Sequence, residues 1–279
     1  MKKTVAFILL LITVIPQISF AAFGTQVADL EDSSSQYFSR ADTASLSITG
    51  SIAVECWVKL ESVPTGTQDA IMAKLDTGAS RSWLFNMEDV GAGVINVQFR
   101  VDQNGDNSII AYKYGTTDMA TKVGTWTHVA ASWTAGSGNA PTVFVDGVDD
   151  GTFASGTGAG SIFDGGVETD IGAIKIAGAA TRFLDGEVAN CRVWSTTRTA
   201  SDFSDNWCTQ LGSTSNLAAE WTLDNTVNDN SGNANTLTNN NSTQFVSDVP
   251  TLCVPLPNST TRINNGTIRV VGEGKVRIN

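Results

Sequence analysis

The chain has 279 residues, with 17 Lys and Arg against 28 Asp and Glu, for a formal net charge of −11. That acidic balance argues against nucleic acid and anionic membrane as partners, because both select basic faces. Glycine is abundant at 26 residues and proline scarce at 6, and Thr, Ser, Asn and Val crowd the chain, a composition that favours β-structure with many turns.

Residues 1–21 read as a secretory signal peptide. Lys2 and Lys3 precede an apolar run over 5–15, Pro16 breaks it, and Ser19-Phe20-Ala21 offers the small residues a signal peptidase reads. Cleavage is expected after Ala21, and the absence of cysteine at the junction argues against a lipid anchor. No later apolar run approaches the ~18–20 residues of a spanning helix.

Next, Leu30-Glu-Asp-Ser-Ser-Ser-Gln36 reads as a turn, and Ala44-Ser-Leu46-Ser-Ile48 alternates like a strand. Ser51 to Leu60 is long, branched and aromatic, as a central strand of a packed sheet would be. Residues 70–74, 82–87, 94–101 and 108–112 read as strands, the last two joined by Asp102-Gln-Asn104-Gly105-Asp106-Asn107. That turn resembles the start of an EF-hand loop, but Asn107 and Lys113 stand where glycine and glutamate are needed, so a hairpin turn is expected. Gly124-Thr-Trp126-Thr-His128-Val129-Ala-Ala-Ser-Trp133 alternates, with Trp126, His128, Ala130 and Ser132 on one side. Val143-Phe-Val145 follows and ends in Asp146-Gly147, a pair suited to a two-residue hairpin. Residues 151–166 are expected to form a surface loop, 170–176 one strand, and 183–194 the last long strand of the body. A helix is expected only between Ser195 and Trp207, where Thr199 can cap it. Leu217 to Leu223 is a further strand, and the Asn-rich stretch 225–241 a loop. The regular spacing of short strands indicates a β-sandwich.

The four cysteines, Cys56, Cys191, Cys208 and Cys253, imply two disulfides with three possible connectivities. Cys56–Cys191 and Cys208–Cys253 are favoured, the first because both lie on strands, the second because it pins the end of the body. After Cys253 the composition changes: Arg262, Arg269, Lys275 and Arg277 face only Glu273, so residues 256–279 are expected to form a separate basic tail, disordered or adding edge strands. The body is assigned to 22–255.

Four motifs in order resemble the laminin-G-like domains of the concanavalin A-like lectin/glucanase superfamily. They are Ile52-Ala-Val-Glu-Cys-Trp-Val-Lys59, Gly124-Thr-Trp-Thr-His-Val-Ala-Ala131, Val143-Phe-Val-Asp-Gly147, and Phe183 to Trp194 with Gly186, Val188 and Cys191-Arg-Val-Trp. A fifth segment, Ala219-Glu-Trp221-Thr-Leu-Asp224, resembles one that commonly precedes such a domain; here it follows, as though a C-terminal strand completes the sandwich. The resemblance implies an all-β concanavalin A-like jelly-roll sandwich of two antiparallel sheets with little helix. Its members include lectins, adhesion modules, pentraxin-like proteins and glucanases, so the fold leaves function to the sites.

The glucanase relatives carry Glu-x-Asp-x-x-Glu on one strand, and this chain has no such run, so no catalytic residue is assigned. His128 reads as a strand residue with satisfied nitrogens. Many relatives hold calcium with an aspartate on the closing strand; here that position is Ala189, but Asp29, Glu31, Asp32 and Asp185 could supply oxygens. For sugar, Trp83, Tyr112 and Tyr114 lie near loops with Asp102, Asn104 and Asn107 close in sequence, and these are the candidate ligand-binding residues. Trp57, Trp126, Trp133 and Trp194 are expected in the framework. The leading reading is a secreted, non-catalytic recognition module for an extracellular glycan or protein at the cell surface. The alternative is an assembly subunit using its basic tail, and a glycoside hydrolase ranks third.

Overall fold

The computed structural model describes residues 24–64, 68–78 and 80–253, with two further short strands at Arg262–Asn264 and Thr267–Arg269. The expected signal peptide lies outside the described residues. Of the expected tail, Arg262–Asn264 and Thr267–Arg269 are described, and they pair antiparallel with each other.

Alternation along the strands builds the body. In Ile52–Leu60, Ile52, Val54, Cys56, Val58 and Leu60 enter the main core, which turns Ala53, Glu55, Trp57 and Lys59 to the opposite face. In Thr127–Trp133, Val129, Ala131 and Trp133 enter the same core and Ala130 joins a cluster on the other side. The two strands are antiparallel neighbours, with Cys56 opposite Val129 and Trp57 opposite His128.

The first sheet runs Val148–Asp149, Thr142–Val145, Thr127–Trp133, Ile52–Leu60, Gly186–Trp194, Val27–Leu30 and Gln244–Val246. Gly186–Trp194 shares its free edge, with Val27–Leu30 along its first half and Leu217–Trp221 along its second. The second sheet runs Ala154–Gly156, Ile110–Tyr114, Ile95–Asp102, Ser80–Asp89, Gln68–Asp76, Thr169–Ile171, Tyr37–Arg40 and Thr238–Asn240. Trp83, Phe85 and Phe99 from the second sheet meet Trp133, Val193 and Trp221 from the first in one core. This is the expected all-β sandwich of two antiparallel sheets. Ala200–Ser204 is the single α-helix among the described residues, capped by Thr199 and Asp202 in a reciprocal capping box. The disulfides are Cys56–Cys191, between neighbouring strands in the core, and Cys208–Cys253.

Asp146 and Gly147 close their hairpin with φ of 48° and 74°, the two positive values a type I′ turn demands. Elsewhere the local pattern misleads. Residues 44–50 alternate, and Leu46 and Ile48 are buried, yet the amides of Leu46 and Ser47 both bond Thr43 O at 3.0 Å, which makes a turn. The strand lies earlier, at Tyr37–Arg40. The stretch 170–176 is two strands, Thr169–Ile171 and Ile174–Ile176, and the second turns back in a hairpin with Ala179–Thr181. The expected loop 151–166 contributes the short strands Ala154–Gly156 and Ala159–Gly160, and the last long strand begins at Gly186, three residues after Phe183.

Candidate functional site

At one end of the first sheet the register of three strands gathers carboxylates. Asp29 lies opposite Glu187, and Glu187 opposite Lys59. One step beyond, Glu31, Glu61 and Asp185 leave the same strand ends. The carboxylate oxygens of Asp29, Glu61 and Glu187 lie within 4.8 Å of one another, as do those of Glu31, Glu61 and Asp185. Lys59 Nζ sits 2.7 Å from Glu187 and also bonds Asp248, so it neutralises the first group in part. Ser62 Oγ donates to Asp185 at 2.6 Å. Burial pushes the Asp29 carboxyl up, with Lys59 opposing and Asp185 adding to the rise. Burial, with Asp29, Glu31 and Asp185 as like charges, does the same to Glu61. Burial carries Glu187 to about 7 against the pull of Lys59.

Of the acids singled out in the sequence, Glu31 and Asp185 meet with Glu61 in one group, and Asp29 falls in the other with Glu61 and Glu187. Asp32 stands apart from both groups. It lines an adjoining cavity of about 240 Å³ with Asp69 and Asp185, and burial plus the charges of Asp32 and Asp185 raises Asp69 to about 7. The donors are all hard oxygens. Their mutual spacing suits a cation whose oxygens sit at about 2.3–2.6 Å, and Asp29 Oδ1 is buried with no hydrogen-bond partner among the described residues. The two groups could therefore hold a hard metal cation. Ala189, where relatives place an aspartate, is instead fully buried beside Trp57 and Cys253.

A second site lies on the outer face of the second sheet. Val97, Phe99 and Val101 point into the core, so Gln98 and Arg100 point out. Gln98 is opposite Asn86 on one side and Tyr114 on the other, and Arg100 is opposite Leu84 and Tyr112. Gln68, Glu88, Gln98, Arg100, Tyr112 and Tyr114 line a groove of about 190 Å³. Tyr112 and Tyr114 meet edge to face at 5.9 Å. The Tyr112 ring lies so close to Gly156 that a Cβ there would come within 2.4 Å of it. Glu88 Oε2 accepts from Gln68 Nε2 at 2.9 Å, and burial with the charge of Glu88, to which the Tyr114 hydroxyl donates, pushes that hydroxyl well up. Gln98 is 4 % exposed and its Oε1 has no partner among the described residues, nor has Asn86 Oδ1.

Other residues expected to bind sugar lie elsewhere. Trp83 is 1 % exposed, packed in the main core, and so offers no platform: its strand alternation turns it inward with Phe85 and Met87. Asp102 is buried and accepts the amides of Asn104 and Gly105. Asn104 bonds Ser108 and the amide of Ile109, and Asn107 holds a positive φ of 71°. These three shape the hairpin turn. Outward alternation beside Phe99 was the signal that could have found Gln98 and Arg100.

The outer face of the first sheet is covered by the helix Ala200–Ser204 and the segment after it. Glu55, 1 % exposed, accepts from Trp194 Nε1 at 2.9 Å, lies 3.1 Å from His128 Nε2 and 3.3 Å from Arg192. Arg192 Nε donates to Glu220 at 2.9 Å, and its terminal nitrogens bond the carbonyls of Asn206 and Thr209. Burial alone would raise the Glu55 carboxyl, but Arg192, His128 and Trp194 hold it below the usual range. His128 departs from expectation in one respect: its Nδ1 is buried with no partner among the described residues. Trp57, Trp133 and Trp194 are core, as expected, and Trp126 is half-buried with its Nε1 on Asp248 O.

Two stacked antiparallel sheets with such sites define a lectin-like sandwich. The family model described as the concanavalin A-like lectin/glucanases superfamily, of laminin G type, matches residues 32–204. The chain belongs to that superfamily. No curated protein sequence matches it significantly. Among solved structures, a candidate carbohydrate binding protein from Bacteroides ovatus superposes with a TM-score of 0.60 at 18% identity, over 80% of this chain and 60% of that one. The chain therefore spans 60% of that relative's length. The SAP-like pentraxin of Limulus polyphemus gives 0.48 at 16% identity, over 66% of this chain and 82% of that one. Mouse laminin alpha1 domains LG4-5 give 0.40 at 14% identity, over 60% and 41%. At these identities the likeness is one of fold.

Proposed function

We propose that the protein is an extracellular, non-catalytic carbohydrate-binding module, and the groove beneath Tyr112 and Tyr114 carries this reading. It combines aromatic rings, a guanidinium and a carboxylate around the Gln98 amide, whose Oε1 lacks a partner among the described residues, which is the chemistry a polyol needs: faces to stack on and convergent donors and acceptors. The name of the Bacteroides ovatus structure is consistent with it. Glycoside hydrolysis needs two carboxylates facing each other across the cleft, about 5–9 Å apart. Glu88 is the sole acid among the groove's lining residues, and Gln68 and Tyr114 already engage it. Two disulfides and the expected signal peptide support a site of action outside the cell.

The acidic cluster at Glu31, Glu61 and Asp185 supports a bound calcium ion, which would relieve the crowding of like charges there. A glycan array run with calcium and with EDTA tests both statements. Binding that Tyr112→Ala and Tyr114→Ala each abolish is expected, and array signals unchanged in both variants would sink the groove. A calcium-dependent rise in melting temperature is expected too, worth about 2.7 kcal/mol at a hundredfold excess over Kd. It should vanish in Glu61→Gln; no rise in the wild type would exclude the ion. A second reading, assembly through the basic tail, is favoured by the pairing of Arg262–Asn264 with Thr267–Arg269 outside both sheets. Deleting 257–279 should then abolish assembly and spare glycan binding.

A further inference from the structure

We propose, building on the glycan-binding reading, that the groove takes a sugar residue bearing a carboxylate, a uronic acid in chemical class, with Arg100 gripping the carboxylate and Gln98 meeting the ring hydroxyls. The carrying observation is that both side chains are set into the groove wall without partners. Arg100 makes no hydrogen bond or ion pair with any other described residue, and Gln98 makes no hydrogen bond with one. Gln98 is buried, and a buried polar atom without a partner costs about 1–3 kcal/mol, so native structures seldom keep one; Arg100 beside it is half-buried and open to the groove.

The chain does not lack acids to pair with its cations. Lys59, Lys74, Lys113 and Arg192 all lie within 4.0 Å of a carboxylate. Glu88 and Asp102 act on Arg100 by their charge, but neither forms an ion pair with it, and the buried Asp102 Oδ2 is itself without a partner among the described residues. Glu88 is held by Gln68 and Tyr114, and Asp102 Oδ1 is bound to its turn amides at 2.7 and 3.1 Å. Burial and the neighbouring Arg81 lower the pKa of Arg100, the direction in which an anionic ligand would be welcome. A guanidinium presents parallel N–H donors that match a planar carboxylate in bidentate fashion. The groove's volume of about 190 Å³ suits one sugar ring, and Tyr112 supplies the ring face. The net charge of −11 does not forbid an anionic ligand, because charges beyond about 8–10 Å are screened at physiological salt.

The test is binding of a uronate oligosaccharide, of its carboxyl-reduced neutral counterpart and of a sulfated neutral oligosaccharide to the full chain. The uronate should bind at least about tenfold more tightly than the reduced form. Arg100→Gln should cut that affinity by about 10- to 100-fold and weaken the neutral sugar far less, with Arg100→Lys in between. Gln98→Ala should weaken both. Equal binding of uronate and reduced forms, or preference for the sulfated sugar, overturns the carboxylate inference and leaves the carbohydrate reading intact. Binding of no glycan at all overturns both. Should Arg100→Gln fail to fold, Arg100→Lys and the salt dependence of wild-type binding decide the same question.

Discussion

Arg192 and Arg100 each stand on the outward side of a sheet strand, in opposite halves of the sandwich. Arg192 is fully buried and meets Glu220, Glu55 and two backbone carbonyls. Arg100 lines an open groove and meets none among the described residues. The difference lies in what covers each face. Over the first sheet, the chain itself returns: Phe203 of the short helix packs on Ala130 and Trp194, and Trp207, Cys208 and Cys253 close over Trp57. That cover brings the carbonyls of Asn206 and Thr209 to the guanidinium. Over part of the second sheet the hairpin Ile174–Thr181 packs on Ala73 and Leu84 through Ile174, but none of its residues lines the groove at Tyr112. A polar group under the chain's own cover is a structural partner, whereas one left unpaired at an open wall awaits something from outside.

The largest expected effect lies on the covered face. Removing one member of a buried ion pair strands the others, at a cost of about 3–5 kcal/mol. Arg192→Ala should lose about that much in urea unfolding. The Glu55 carboxyl titrates below its ordinary value in the folded state, so its share of stability is present above the unfolded value near 4 and lost as pH falls further. The Arg192→Ala variant should show less of that acid sensitivity. A loss under about 1 kcal/mol would mean the network is solvated and the contrast between the faces is mistaken.

The framework was readable because it repeats simple rules. Alternation in Ile52–Leu60 and Thr127–Trp133 assigned each residue to a face, and Asp146-Gly147 announced its turn. Cys56 and Cys191 stood on strands that turned out to be neighbours. The sites were only half readable, for a physical reason: they depend on cross-strand register, which local sequence does not encode. Glu61 joins Asp185 because Leu60 pairs with Gly186, and Arg100 joins Tyr112 by the pairing of Ile95–Asp102 with Ile110–Tyr114. Trp83 was misplaced because nearness to a loop says nothing of which way a strand residue points. Residues 44–50 alternated without being a strand, since local turn bonds to Thr43 competed for their amides.

An intermediate effect should come from Asp170, on the same side of the second sheet as its neighbour Ala73. It is fully buried, and both carboxylate oxygens lack partners among the described residues. Burial, with the charge of Asp76, raises it to about 8. A folded-state value raised above the unfolded one contributes stability that is complete below about pH 4 and lost as pH rises through about 8. Wild-type stability should therefore fall across that window, by at most about 1.4 kcal/mol per pH unit from this group. Asp170→Asn should flatten the fall and melt higher than wild type at pH 7. If the two proteins keep parallel profiles from pH 4 to 8, Asp170 has found a partner and the second face is better satisfied than its open groove suggests.

The smallest expected change in stability is the sharpest test of the contrast. Because Arg100 has no partner to strand, Arg100→Gln should alter unfolding free energy by no more than about 0.5 kcal/mol, the range of ordinary surface substitutions. Arg100 stands opposite Tyr112 across the strand pair, so glutamine, which keeps part of the alkyl stem, is a better probe than alanine. The two arginines then separate by several-fold in one measurement: the enclosed residue sets stability, and the open one sets what the groove accepts. Should Arg100→Gln lose as much as Arg192→Ala, the guanidinium is holding the sheet together, and its freedom to receive a ligand disappears with that result.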